Sequence, residues 1–193
     1  METRIGELIE ASTATFVAQS YELHRGPDFG QLVKAIDGER VVYALVYDVR
    51  TASIDPNRRA IARGGGGVFD AAIYEHPELR ETLRTEFAAV IVGHRNGDKT
   101  WQHLPAKPPP LHYSVHACDE VETATFNDCL DYLAGLLDGT AHPADELVAA
   151  SIRRAYAARG GDREFLLRAG RTLAMLLKDD YPRLAAILRR IQL

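Results

Sequence analysis

The sequence predicts an α+β protein, in which a small six-stranded antiparallel β-barrel is followed by a helical domain of about four helices. The first part of the chain contains short runs of β-branched and aromatic residues, separated by turn signals. From about Thr123 onward, apolar residues recur every three or four positions, which is the period of an amphipathic helix. We therefore expect a barrel over residues 1–118, interrupted by an insertion at 50–86, and a helical domain over residues 119–193.

Six runs make up the predicted barrel. They are Arg4–Glu10, Thr15–Glu22, Gln31–Ile36, Val41–Val49, Phe87–Gly93 and Leu111–Ala117. The dipeptide Asp37-Gly38 follows the third run and Asn96-Gly97 follows the fifth, and both are typical of tight hairpin turns. Short strands joined in this way predict a small closed barrel.

The insertion contains four consecutive glycines, Gly64–Gly67, which raise the question of a phosphate-binding loop. Such a loop needs a lysine and a serine or threonine directly after its last glycine, to bridge the phosphates and hold magnesium. Here Val68 and Phe69 follow, and then Asp70, whose charge would repel phosphate. We therefore predict a flexible loop, followed by a short helix with Pro77 at its first position.

Four helices are expected after the barrel. The first begins near Thr125, where Asp128 gives a spacing similar to a capping box, and ends at Asp138-Gly139. The second begins at Pro143 and ends at Gly160-Gly161. The third is capped by Asp162, and the fourth carries inward-facing residues from Tyr181 onward.

Composition and charge limit the class of protein. The chain is 46% hydrophobic and 26% charged, which favours a folded chain with a core over a disordered one. Residues 151–193 hold ten basic and four acidic residues, a charge of +6, whereas residues 1–150 carry −10. The basic residues are spread at helical spacing, which favours a solvated surface or one that docks on the acidic part over a nucleic-acid site.

The expected compartment is the cytoplasm. The first residues, METRIGELIE, lack the basic and then apolar layout of a signal peptide. The chain has no run of about 18 apolar residues, so we expect no membrane partner. Two cysteines, Cys118 and Cys129, are too few for a disulfide framework and are expected to be reduced.

Three stretches of the barrel carry a family resemblance: RIGELIEASTATFVAQSYE, FGQLVKA and VVYALVYDVRTASIDPNRR. The opening Ile5–Glu10, then Gly30–Val33 and Val42–Val49, resemble the HAS barrel, named for HerA-type DNA-translocating ATPases and ATP synthases. The resemblance covers residues 3–60 and extends toward 118 with the later strands. It implies a barrel that helps ring assembly and that carries no catalytic residues.

This chain departs from the ATPase members after the barrel. Those members continue into a P-loop motor, whereas residues 119–193 are too few for one and have a helical pattern instead. The resemblance therefore implies a stand-alone barrel protein, with a HerA-type ATPase or further copies of itself as the natural partner.

Partner-binding candidates lie in two loops. Arg58, Arg59 and Arg63 precede the glycine run, where a partner or an anion could dock. Trp101, the only tryptophan, is expected in the loop after Asn96-Gly97, where it either anchors a partner or covers an open barrel end.

Two alternatives involve other chemistry. In the first, Arg153, Arg154 and Arg159 of the basic helices bind nucleic acid. In the second, His112, His116 and Cys118 share one face of the sixth strand and bind zinc in a metal-dependent hydrolase, with a fourth ligand such as His94 or His103. Successive side chains on one strand face lie about 6.8 Å apart, which argues against a shared ion.

The hypothesis that the sequence favours is a non-catalytic assembly or interaction module. No coherent catalytic motif is present, so we predict neither enzymatic activity nor a cofactor.

Overall fold

The computed structural model describes residues 3–55, 57–64, 67, 69–75, 77–140 and 142–191, with only the backbone at positions 77, 78 and 80. Within these residues the strands are β1 (Arg4–Ala11), β2 (Thr15–Ser20), β3 (Leu32–Asp37), β4 (Arg40–Ser53), β5 (Leu83–Asn96), β6 (Lys99–Trp101) and β7 (Ser114–Ala117). The helices are α1 (Pro77–Thr82), α2 (Glu120–Phe126), α3 (Tyr132–Leu137), α4 (Ala144–Ala158), α5 (Arg163–Leu176) and α6 (Tyr181–Ile191), and a 3-10 helix covers Asp70–Glu75.

The strands form a closed antiparallel barrel, as the sequence predicts. Their order is β2-β1-β7-β3-β4-β5-β6, and β2 also pairs with β5, which closes six of the seven strands into a ring. The seventh, β6, is a short extension that pairs with the end of β5. The predicted turns join β3 to β4 and β5 to β6, with Gly38 and Gly97 in the left-handed region that favours glycine.

Strand β4 shows how the barrel and the helices share the apolar residues. Val42, Ala44 and Val46 belong to the barrel interior, where they pack with side chains such as Phe87 of β5. The alternating residues Val41, Tyr43 and Leu45 belong to a second core, outside the barrel. Both faces of β4 are therefore buried, which explains why its sequence reads as a continuous apolar run.

The helical region supplies the other side of that second core. Leu133, Leu147, Ile152 and Leu173 pack there with the outward-facing residues of β3, β4 and β5. The helices thus cover one side of the barrel, and the two parts of the chain are joined by a continuous apolar interface.

Polar contacts fix the same junction. Lys34 is buried on the outer face of β3 and pairs with Glu122 of α2 at 2.5 Å. Arg154 of α4 donates to the Asp28 carboxylate at 2.7 Å and to the Phe29 carbonyl at 3.2 Å. The Arg154 contacts join the basic part of the chain to the acidic barrel part, as the docking interpretation of the charge pattern expects.

The prediction of the first helix after the barrel is wrong in two respects: the helix begins earlier, and two separate helices, α2 and α3, take its place. Asp119 begins α2, because its side chain accepts from the Glu122 N–H and the Glu122 side chain accepts from the Asp119 N–H. The predicted cap at Thr125 therefore lies inside this helix. The helix then ends at Asn127, whose side chain donates to the Thr123 carbonyl, and α3 follows separately.

Several strand boundaries differ from the predicted runs, and β2, for example, ends at Ser20 and not at Glu22. The sixth predicted strand begins at Ser114 and not at Leu111, because His112 has a φ of 65° and interrupts the extended backbone. Strands β4 and β5 extend further than expected, so the insertion covers residues 54–82 and not 50–86. The short helix predicted there is confirmed and begins at Pro77.

Candidate interaction surface

The ends of β4 and β5 extend beyond the barrel as a two-stranded arm. Strand β2 pairs with β5 only as far as Glu86, opposite Gln19. Past that point, residues 51–53 of β4 pair with residues 83–85 of β5, and no further strand joins them among the described residues. The insertion at 54–82 connects these two strand ends, so it is presented at the tip of the arm.

A buried carboxylate holds the base of the arm. The side chain of Glu86 is only 4% exposed, and it accepts from Arg50 Nε at 3.0 Å and from Arg50 Nη2 at 2.6 Å. Arg84 Nε forms an ion pair with the same carboxylate at 2.7 Å. The hydrogen bond that Arg50 donates to Glu86, and then the charge of Glu86, raise the pKa of the Arg50 guanidinium. Two cations on one buried carboxylate fix the direction in which the arm leaves the barrel.

Contacts through Thr85 and His24 attach the insertion to the arm. Thr85 is buried and its Oγ1 lies 2.8 Å from Thr51 Oγ1, across the strand pair. The same oxygen accepts from the His24 N–H at 2.7 Å, and the His24 ring contacts the Tyr74 ring edge-on at 4.7 Å. Tyr74 lies in the 3-10 helix of the insertion, so these contacts anchor the segment before α1 against the barrel.

The described residues of the insertion that precede α1 are exposed or half-buried. No described residue from 54 to 75 is buried. Ile61 is 76% exposed and Phe69 is 59% exposed, and the exposed residues Arg58 and Arg59 lie in the same segment. Arg63 is exposed as well. Apolar side chains beside guanidinium groups are typical of surfaces that bind an acidic partner with apolar contact points.

The glycine run lies in this exposed segment. Gly64 and Gly67 are exposed, whereas Gly65 and Gly66 lie outside the described residues. Asp70, with a φ of 53°, begins a 3-10 helix and not the long α-helix that follows a phosphate-binding loop. The geometry therefore offers no phosphate cradle at the residues that the structure describes.

Trp101 is separated from the arginines of the insertion. It lies on β6 and not in a loop, it is half-buried, and its ring stacks on His94 with centroids 5.3 Å apart. His94 follows Leu83, at the arm end of β5, by eleven residues, which corresponds to roughly 35 Å of strand. The predicted partner-binding residues thus form two surfaces and not one.

The three arginines of the nucleic-acid alternative all have partners within the chain. Arg153 donates to the Arg190 carbonyl, and Arg154 makes the contacts with Asp28 and Phe29 described above. Arg159 donates to Asp128 at 2.5 Å and to the Ala124 carbonyl at 2.5 Å, and its guanidinium lies over the Phe165 ring. Arg154 therefore docks on the barrel, whereas Arg153 and Arg159 make their contacts within the helical part.

The residues of the metal alternative do not share a site. His112 precedes β7 and is exposed, and its Nδ1 lies 2.8 Å from Glu7 Oε1. His116 and Cys118 are buried. Throughout the described ranges, no group of three His, Cys, Asp or Glu side chains is placed to hold a metal ion.

Sequence reasoning missed Glu86 and Lys34, which set the geometry of the arm and of the barrel–helix junction. Both signals are present in the sequence, since each is a charge inside a run that otherwise reads as a strand, LVKAI and RTEFAAV. A charge in such a position predicts a buried partner. The identity of the partner depends on the fold, because Glu122 is far from Lys34 in sequence.

Comparison with protein-family models and with curated proteins finds no match for this chain. In the part of the chain that the structure describes, no helix has the length and apolar character needed to cross a membrane.

Proposed function

We propose that this chain is a non-catalytic interaction module, which docks a partner protein through the insertion at the tip of the β4–β5 arm. The barrel and helices serve as the rigid support, and Ile61, Phe69 and the adjacent arginines supply the contacts. The partner surface that fits them is acidic and has apolar points of contact.

The observation that carries the proposal is the contrast between the support and the insertion. Glu86 and Thr85 are buried and fully engaged at the base of the arm. Beyond it, the described residues 54–75 bury none of their side chains, although they include large apolar ones. Such a segment gains little stability from packing within its own chain. Because the arm presents it to solvent, it is stabilised by burying these side chains against a partner.

The resemblance of the barrel to the HAS family supports a ring-forming P-loop ATPase of the HerA type as that partner. In this chain the barrel is followed by helices that pack against it through a shared apolar core. Assembly with further copies of the same chain is the other outcome that the resemblance allows.

The two alternative functions receive less support. A nucleic-acid surface on the basic helices competes with the partners that Arg153, Arg154 and Arg159 already have. A metal-dependent hydrolase requires His112 beside His116, but His112 pairs with Glu7 on the barrel surface.

The test is affinity capture of the tagged protein from its native lysate, followed by mass spectrometry and light scattering. We expect an ATPase subunit in stoichiometric amount with the wild-type chain. Ile61→Asp and the pair Arg58→Glu with Arg59→Glu should lose it. Val121→Asp is the matched control, because Val121 is 73% exposed on α2 and should retain the partner.

Two results would refute the proposal. One is a captured partner that Ile61→Asp and the arginine pair retain as well as Val121→Asp does. The other is hydrolysis of a nucleotide or phosphoester by the purified chain, at a rate that a point mutation abolishes.

A further inference from the structure

A cavity of about 300 Å³ lies between the barrel and the helical region, away from the arm. Its barrel side is formed by Val90 and Val92 of β5, its helix side by Leu136 of α3, and Leu104 lies at its edge. The turn between β1 and β2 supplies a further wall. The volume is at the lower end of the range for small-molecule sites, and such sites commonly occur where two structural units meet.

Gly135 is an exposed residue in the lining of the cavity. Gly135 lies on α3 and lines the cavity, and a Cβ added there would have no atom within 4 Å. The residue is therefore not required by close packing, although glycine within a helix costs about 1 kcal/mol relative to alanine. A side chain added at this lining position would meet no atom within 4 Å of its Cβ.

Most polar groups of the lining are already engaged within the protein. The Gln102 amide donates to the Phe126 and Cys129 carbonyls and accepts from the Tyr132 N–H. His142 Nε2 lies 3.1 Å from the Leu136 carbonyl oxygen. Because a carbonyl can only accept, Nε2 is the ring nitrogen that carries the hydrogen. Nδ1 of His103 lies 3.1 Å from the carbonyl of Leu104. These side chains form walls of the cavity and hold its shape.

Among the described residues of the lining, Asp131 alone has an acidic or a permanently charged side chain. It is exposed and precedes α3, but its carboxylate does not cap that helix. Partial burial, and then the hydrogen bond to Asp131, raise the pKa of the Cys129 thiol. This hydrogen bond uses part of the acceptor capacity of the Asp131 carboxylate. Asp131 thus brings a negative charge to the lining of a mostly apolar cavity, and that charge favours a cation.

We propose that this cavity binds a small amine with an apolar body, whose body contacts Val90, Val92 and Leu136 and whose ammonium pairs with Asp131. The proposal is independent of the docking function, because the cavity lies seven to nine residues along β5 from the arm end, roughly 25 Å of strand.

The test is a titration with three probes that share one apolar body: 2-phenylethylamine, 2-phenylethanol and phenylacetate. Trp101 is the only tryptophan, and it directly precedes the lining residues Gln102 and His103, so its fluorescence reports binding. Calorimetry gives the affinities independently. We expect the amine to bind at millimolar concentration or below, the alcohol about tenfold more weakly, and the carboxylate not to bind.

Two variants assign the site. Gly135→Leu should fill the cavity and abolish binding, with thermal stability unchanged or raised. Gly170→Leu is the matched control, because Gly170 lies on α5, also has open space around an added Cβ, and does not line the cavity. Asp131→Asn should remove the preference for the amine over the alcohol.

The proposal is overturned if neither the amine nor the alcohol binds the wild-type chain at millimolar concentration. Binding that survives Gly135→Leu would place the ligand elsewhere. Equal affinity for the amine and the alcohol, unchanged in Asp131→Asn, would refute the role of the carboxylate and leave a purely apolar site.

Discussion

Replacement of Gly30 by alanine tests how firmly the helical region is seated on the barrel. Gly30 precedes β3 with a φ of 76°, and its N–H donates to the Val46 carbonyl at 2.7 Å. A Cβ at this position would lie 2.6 Å from the Cβ of Ala150 on α4 and 3.2 Å from the carbonyl carbon of Ala150. The backbone cannot move away without weakening the bond to β4, so both the strain and the clash should appear in the stability.

The magnitude follows from two separate terms. A residue with a Cβ in the left-handed region costs about 1–2 kcal/mol. Forcing extra volume into a packed junction costs about 1–3 kcal/mol. Gly30→Ala should therefore lower the free energy of unfolding by about 2–5 kcal/mol, which is a large part of the total of about 5–15 kcal/mol for a typical protein.

Gly38 provides the matched control. It lies in the β3–β4 turn with a φ of 62°, and a Cβ there would meet nothing within 4 Å. Gly38→Ala should show only the backbone term of about 1–2 kcal/mol. The difference between the two variants then measures the contact between the Gly30 loop and α4.

Urea unfolding followed by circular dichroism gives both values, provided that the slope with denaturant stays constant. Adding Ala150→Gly to Gly30→Ala should relieve the clash and recover part of the contact term, less about 1 kcal/mol for glycine within a helix. Equal losses for Gly30→Ala and Gly38→Ala would refute the reasoning, because α4 would then not be packed against this loop as described.

Three further predictions concern buried or paired polar groups. Burial raises the pKa of Tyr132 to about 12. The contribution of the neutral phenol to stability is therefore complete below pH 10 and is lost as the pH rises through the pKa of the folded state. In urea unfolding across this range, Tyr132→Phe should lose less of its free energy of unfolding with pH than the wild-type chain does. Glu86→Gln should lower the free energy of unfolding by about 1–3 kcal/mol and speed tryptic cleavage in the insertion, and unchanged cleavage would argue against its role at the arm. Arg154→Glu should cost about 1 kcal/mol through repulsion from Asp28, measured by urea unfolding, and leave any DNA retardation at low salt unchanged.

The barrel could be predicted from the sequence because the signals that specify its hairpins are local. The turn glycines Gly38 and Gly97 and the apolar runs around them specify hairpins through contacts between near neighbours. The start of α2 was missed for an equally local reason, since Asp119 and Glu122 form a capping box that the apolar pattern from Phe126 onward does not register. Periodicity finds the buried face of a helix, whereas caps determine where the helix begins.

The candidate sites were harder to predict, because each depends on residues brought together from distant parts of the chain. The arginines of the insertion were singled out because they precede the glycine run. Their place at the tip of an arm follows from the extended pairing of β4 with β5. The cavity could not be found in this way. Its lining comes from the β1–β2 turn, from β5, from the segment after β6, from α3 and from the segment after α3. The individual residues have no distinctive pattern in the sequence.

The positions of the arm and the cavity determine whether ligand binding in the cavity can affect docking at the arm. Both are connected to β5, the arm through Leu83 and the cavity through Val90 and Val92. The intervening residues of β5 pair with β2 and β4 inside the closed barrel, which resists the sliding that would couple two sites along one strand. A ligand in the cavity should therefore leave docking at the arm unchanged. The cavity should influence assembly only if a partner extends along the barrel far enough to contact α3.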